Sequence, residues 1–170
     1  GISLSSFNGE TKDNCLITNN LIDNLGESGP FGNGIYLDNI TYSNITNNIV
    51  RNTSIEGIYL QEGSSNNIIS GNQVHSSGED GIDLSEGSAS VNNLITGNTI
   101  VNSGVDGGSG DIMVGSNCDG NNISENVLLD SNIKGVYLQS DSNNINNNNI
   151  SGTTEAGIYL DDSATDNMIF

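Results

Sequence analysis

Short apolar segments with a period of two recur along the chain, each followed by an Asn-rich stretch of constant internal order. Gly-Ile-Tyr-Leu stands at 34–37, 57–60 and 157–160, with variants at 1–4, 81–84, 110–114 and 135–138. The later copies lie roughly 22 to 29 residues apart, a spacing of one structural unit per repeat. A second segment follows each copy, beginning at Cys15, Asn44, Ile68, Leu94, Asn122 and Asn144. Stacked on one another, these segments give columns. The first is Ile17, Ile45, Ile69, Ile95, Ile123 and Ile145. Three places on, every repeat has Asn: Asn20, Asn48, Asn72, Asn98, Asn126 and Asn148. Two further on come Ile22, Val50, Val74, Ile100, Leu128 and Ile150. Strand side chains alternate between faces, so the aliphatic columns point inward and stack coil on coil.

The residues just before the Asn column are Asn19, Asn47, Gly71, Gly97, Glu125 and Asn147. All but Glu125 are types that tolerate a left-handed corner, so a tight bend is expected there. The Asn that follows turns inward as a ladder, each side-chain amide bonded to the next coil. Three short parallel strands per coil and an Asn ladder resemble the pectin-lyase-like β-helix superfamily, and most of all the Asn/Ile-rich repeats of prokaryotic surface and periplasmic proteins. The expected fold is therefore all-β: a right-handed parallel β-helix of about seven coils, with the handedness taken from the resemblance. At ~4.8 Å per coil the rod is roughly 34 Å long. Residues 1–170 read as a single β-helix domain that begins and ends in mid-pattern, which suggests a fragment of a longer repeat protein.

Composition changes the picture in one respect. Against 21 Asp and Glu stand only three basic residues, for a net charge of −18. Such a field disfavours nucleic acid and anionic membrane surfaces, and repels an acidic polysaccharide unless cations intervene. No apolar run approaches membrane-spanning length. Cys15 and Cys118 lie about four coils apart, roughly 19 Å at strand spacing, too far for a disulfide. No motif requires a cofactor or a resident metal, which leaves Ca²⁺ as the one open cofactor. The expected location is secreted or at the cell surface.

Candidate chemistry sits on the Gly-Ile-Tyr-Leu strands. With Ile and Leu facing in, the residue between them faces out, giving Ser3, Tyr36, Tyr59, Asp83, Met113, Tyr137 and Tyr159. Tyrosine rings in a row beside carboxylates such as Glu86 suit a sugar-binding face, with Tyr36, Tyr59, Asp83, Glu86, Tyr137 and Tyr159 as ligand-binding candidates. Stacking of the rings on one another is the plain structural alternative. Two longer corners, 23–33 and 101–110, are placed to wall a groove over Tyr36, Tyr59 and Asp83.

Gly78-Glu79-Asp80-Gly81-Ile82-Asp83 is similar to the acidic Asn-Thr-Asp-Gly-Ile-Asp stretch of polygalacturonases. That resemblance implies Asp80 and Asp83 as catalytic carboxylates, a pair that glycoside hydrolysis requires. The paired acids of the next coil, the Gly-His-Gly and the Arg-x-Lys of that family are not found, nor is the Asp-Pro-His of alginate epimerases. The one histidine, His75, reads as a solvated loop residue. Three functions stay open. The first is a non-catalytic surface module, adhesin-like or a spacer, that takes a polysaccharide or cell-surface glycan. The second is a carbohydrate-active hydrolase, lyase or epimerase. The third is a filament subunit whose partners are neighbouring β-helix coils stacked end to end.

Overall fold

A computed structural model of the chain describes residues 1–6, 9–25, 32–85, 87–104 and 109–170. Three parallel sheets of seven, seven and six strands form the faces of a solenoid, with a two-stranded ribbon, Lys12–Asp13 beside Ile40–Thr41, at one corner. Within each sheet a strand pairs only with its equivalents one coil before and after, which is the connectivity of a β-helix. The first face is built from the Gly-Ile-Tyr-Leu segments, for example Ile35–Asp38, Ile58–Gln61 and Ile82–Leu84. The second carries the Ile17 column and the third the Ile22 column. Among the described residues no helix is long and apolar enough to cross a membrane.

Register follows the columns. Ile45 pairs with Ile17 and Ile69, Ile95 with Ile69 and Ile123, and Ile145 with Ile123 and Ile169. Inward aliphatics from all three faces form one continuous core, with Ile45, Ile69, Ile95, Leu37, Leu60 and Ile100 fully buried. Each buried methylene adds about 0.8 kcal/mol, and unbroken stacking makes the gain proportional to the number of coils.

The Asn ladder runs through every coil. Asn20, Asn48, Asn72, Asn98 and Asn126 each donate a side-chain N–H to the Oδ1 of the next Asn at 2.9–3.0 Å. The same Oδ1 accepts the backbone N–H of that Asn, at 3.0 Å from Asn48 to Asn72 and 2.9 Å from Asn72 to Asn98. The second amide hydrogen reaches back to a carbonyl, as Asn98 does to Ile69 O at 2.9 Å. Asn48, Asn72, Asn98 and Asn126 thereby satisfy both side-chain donors and the acceptor within the protein. The residues ahead of the ladder hold φ between 53° and 64°, Glu125 included at 58°. Glutamate there costs on the order of 1 kcal/mol relative to glycine.

A second ladder, not anticipated from the sequence, lies at the corner before the second face. The backbone N–H groups of Ser43, Asn67, Asn93, Asn121 and Asn143 donate to the Oδ1 of Asn67, Asn93, Asn121, Asn143 and Asn167 at 2.8–2.9 Å. The glycine before Ile35, Ile58 and Ile82 on the first face has its own cause. A Cβ on Gly57 would stand 2.4 Å from Val74 Cγ1 and 2.5 Å from Gly81 O, so no side chain fits that bend. Cys15 and Cys118 are both free thiols. His75 is half-buried within the strand Gln73–Ser77, between Arg51 and Val101, and not in a corner loop; the strand runs one residue pair further than the column pattern suggests.

Asn98→Ala tests the ladder. It strips Asn72 N–H and Ile69 O of their partners in a dry corner, so unfolding should cost about 2–4 kcal/mol less than in the parent, with loss of the midpoint in urea. A midpoint unchanged in that variant would show that water fills the corner.

Candidate functional site

The outward positions of the first face fall in one line. Ser3 pairs with Tyr36, Tyr36 with Tyr59, Tyr59 with Asp83, Asp83 with Met113, Met113 with Tyr137 and Tyr137 with Tyr159. Their exposure is not uniform. Tyr59, Asp83 and Met113 are only 7%, 4% and 8% exposed, so the middle of the line is a floor and not an open row of rings. The tyrosines form two edge-tilted pairs, Tyr36 with Tyr59 at 5.7 Å and Tyr137 with Tyr159 at 5.3 Å between centroids. Tyr36 Oη donates to Gln61 Oε1 at 2.7 Å, and Tyr137 Oη donates to Asp161 Oδ2 at 2.9 Å while accepting from Gln139 Nε2.

Over that floor lies a groove of about 520 Å³ lined by Tyr36, Tyr59, Gln61, Asp83, Ser85 and Met113, with Glu56, Glu79 and Asp80 along one wall. Asn33 and Ser109, the described ends of the two long corners, also line it. Residues 26–31 and 105–108 of those corners lie outside the described residues, as does Glu86. The structure thus brings Tyr36, Tyr59, Asp80 and Asp83 together, and sets Tyr137 and Tyr159 apart, further along the same face.

The wall is held by backbone donors and burial. Asp80 Oδ1 accepts the N–H groups of Ser109 and Gly110, both at 2.6 Å. Burial nevertheless pushes its carboxyl up to about 6, against the pull of those N–H groups and of Lys134, with the Glu79 carboxylate adding to the rise. Glu56 is 6% exposed, and its N–H donates to Asn33 Oδ1 at 3.1 Å. No hydrogen bond reaches its Oε2. Burial, and then the neighbouring carboxylates of Glu79 and Asp80, raise Glu56 to about 8. Asp83 Oδ2 accepts from Ser85 Oγ at 2.7 Å. At neutral pH Glu56 keeps a proton that ordinary surface carboxyls have lost.

Behind the wall sits Asp111, fully buried at the position where the preceding coils have Gly34, Gly57 and Gly81. Burial lifts it to about 8, with Asp80 and Asp130 raising it further and the Ser103 backbone opposing. Sequence reasoning missed Glu56, Glu79 and Asp111. The available signal was a carboxyl breaking the glycine column at 111 and three acids at one corner of successive coils, at 56, 79 and 80.

Cations are elsewhere. Arg51 pairs with Asp23 at 2.7 Å on the third face, and Lys134 pairs with Glu155 at 2.9 Å while standing 5.1 Å from the ring centres of both Tyr137 and Tyr159. Among the described residues no set of three or more His, Cys, Asp or Glu is arranged to hold a metal ion.

The raised carboxyls fix a sign for stability against pH. A buried acid whose folded pKa lies above its unfolded value binds more protons folded than unfolded, so stability falls as pH rises from the unfolded value to the folded one. For Asp111 and Glu56 that window runs from about 4 to about 8. The thermal midpoint should therefore drop steadily from pH 5 to pH 8, and Asp111→Asn should flatten the curve and melt higher than the parent at pH 8. An unchanged slope in the variant would assign the drop to general charge repulsion.

Comparison with known proteins places the fold. The model of the right-handed β-helix region matches residues 1–100 and, overlapping, 33–170. The chain is similar to the crystal structure of a point mutant of the periplasmic alginate epimerase AlgG, with a TM-score of 0.64 and 18% identity over 100% of this chain and 42% of that one. It is similar also to AlgG without that substitution, with a TM-score of 0.53 and 18% identity over 94% of this chain and 43% of that one. This chain therefore spans about two fifths of the length of those proteins. At that identity the likeness is one of fold. No curated protein sequence matches. On the family match, which covers the whole chain, this protein belongs to the right-handed parallel β-helix family.

Proposed function

We propose that this chain is an extracytoplasmic polysaccharide-binding β-helix and that the groove on the first face is its binding site. The observation that carries the reading is the groove itself, a trough of about 520 Å³ along the strand-stacking direction whose floor combines tyrosine rings with carboxyl, carboxamide and hydroxyl groups. Rings give a sugar apolar area at low entropic cost, and the polar groups meet its hydroxyls. Stacked coils repeat such groups at ~4.8 Å, which suits a linear polymer laid across several of them. The fold's likeness to an alginate epimerase agrees with a polysaccharide ligand without specifying it. The chain fits a module of a longer secreted or surface protein.

A second reading, a carbohydrate-active enzyme, is favoured by one observation. Asp80, aligned by two backbone N–H groups and raised to about 6, stands in the same groove as Asp83, and two carboxyl groups in one groove, one of them raised, suit general acid–base chemistry.

The test is an array of plant, algal and microbial polysaccharides scored for binding and for released oligosaccharides, with and without Ca²⁺. The module reading expects binding without products, weakened about tenfold by Tyr36→Ala with the circular dichroism spectrum intact. Released or unsaturated products promote the enzyme reading. Silence on both counts overturns the polysaccharide site.

A further inference from the structure

The first face holds the same tyrosine arrangement twice, with opposite charge beside it. In one copy, Tyr137 and Tyr159 stand edge to face at 5.3 Å, and the Lys134 ammonium lies 5.1 Å from both ring centres with Glu155 Oε2 at 2.9 Å. That is a complete ammonium site: two aromatic rings and a carboxylate around one cation. In the other copy, Tyr36 and Tyr59 stand tilted at 5.7 Å. Lys134 lies three residues ahead of Tyr137, and three residues ahead of Tyr59 the chain has Glu56. The register places Asp80 beside Glu56 and three ahead of Asp83, so acids occupy the wall where the other copy has its lysine.

We propose, building on the polysaccharide-binding reading, that the groove takes an ammonium-bearing amino sugar, with Glu56 and Asp80 as the charged partners and the Tyr36–Tyr59 pair as the platform. Three independent features converge on this ligand class. Four carboxyl groups, Glu56, Glu79, Asp80 and Asp83, line the groove, and none of the described residues lining it is Lys, Arg or His. Glu56 is more than nine-tenths buried at the groove wall and keeps an oxygen, Oε2, that no hydrogen bond reaches. The neighbouring copy shows that this surface holds an ammonium when the chain supplies one.

Other glycans fit less well. A polyuronate would bring carboxylates against carboxylates in a protein of net charge −18, at a cost that only intervening cations relieve. A neutral glycan would leave the crowded acids as they are and gain nothing from Glu56. An ammonium replaces the proton that burial and the neighbouring carboxylates retain on Glu56, so uptake of an already protonated amine releases that proton to solvent. For Glu56 the facing charged groups are Glu79 and Asp80; for Asp80 they are Glu79, Glu56, Asp111 and, from two coils on, Lys134.

The experiment is titration calorimetry of the whole chain at about pH 5.5, where the sugar amines are largely ammonium and Glu56 keeps its proton, with a fully deacetylated glucosamine hexamer. The N-acetylated hexamer, a neutral glucan hexamer and an oligouronate serve as comparisons. Expected is tightest binding of the deacetylated oligomer, by about tenfold or more, with proton release visible as a heat that changes with buffer ionisation enthalpy. Glu56→Gln, which keeps the shape of the protonated acid and so keeps the fold, should weaken it about tenfold and reduce proton release. Glu10→Gln makes the same substitution at an exposed site and should leave binding unchanged. An equal loss in Glu10→Gln overturns the proposal, because it marks general adsorption of a polycation. Equal or better binding of the acetylated, neutral or uronate oligomer also overturns it but leaves the polysaccharide groove standing. Failure of all four oligomers to bind overturns both.

Discussion

A chain that winds into stacked parallel coils must turn a corner three times per coil, and each corner carries backbone amides away from the sheets that would pair them. Water cannot reach these amides at the inner side of the bend, and an unsatisfied buried N–H costs on the order of 1–3 kcal/mol. Asparagine meets this need because one side chain offers an acceptor to the coil before and donors to both directions. Asn72 Oδ1 takes two N–H bonds from Asn48, and Asn72 Nδ2 gives one to Ile45 O and one to Asn98 Oδ1. Such a bond set closes only when successive coils sit at strand spacing and in register. The ladder thereby holds the faces in phase, stacks Ile45 on Ile69 and Ile95, and sets Tyr36, Tyr59 and Asp83 in one line.

That dependence explains which parts of the structure are readable from sequence. Asn20 to Asn148 could be read because every coil has the same residue at the same offset from an aliphatic column. The second ladder stands at an equally constant offset, two residues before the Ile column at Asn67, Asn93, Asn121 and Asn143. It is hidden only to counting forward from the first face, because the corners leading into it differ in length and the phase is lost there. The outward line on the first face was legible for the same reason as the core, since period two and register fix it together. What could not be read was its exposure. Tyr59 and Met113 alternate outward yet end nearly covered, because exposure on a solenoid face depends on what the corners on either side lay over it.

The acids divide in the same way. Asp80 and Asp83 came from a short similarity, and the structure places both in the groove. Glu56 and Glu79 lie in the corner, where alternation ends and no pattern says which side is buried. Asp111 breaks the glycine column, and its burial follows from the reason for that column: the bend at Gly57 and Gly81 presses against the core. Of 21 acids against three basic residues, Glu56, Asp80 and Asp111 stand apart because the fold has taken them from water with no ion-pair partner among the described residues. One stretch of the face is thereby acidic, with Glu56 still protonated at neutral pH, while the Tyr137–Tyr159 stretch carries the Lys134 ammonium.

Native-state hydrogen exchange read by nuclear magnetic resonance tests most directly whether the ladder holds the coils together. If it does, the backbone and side-chain amides of Asn48, Asn72 and Asn98 exchange only through global opening, at the same rate as the core amides of Ile69 and Ile95, and protection declines toward Asn20 and Asn148. Fast exchange of the Asn side-chain amides beneath slowly exchanging strand amides would contradict the account, because it would mean that the corners open freely while the aliphatic core alone keeps the coils in register.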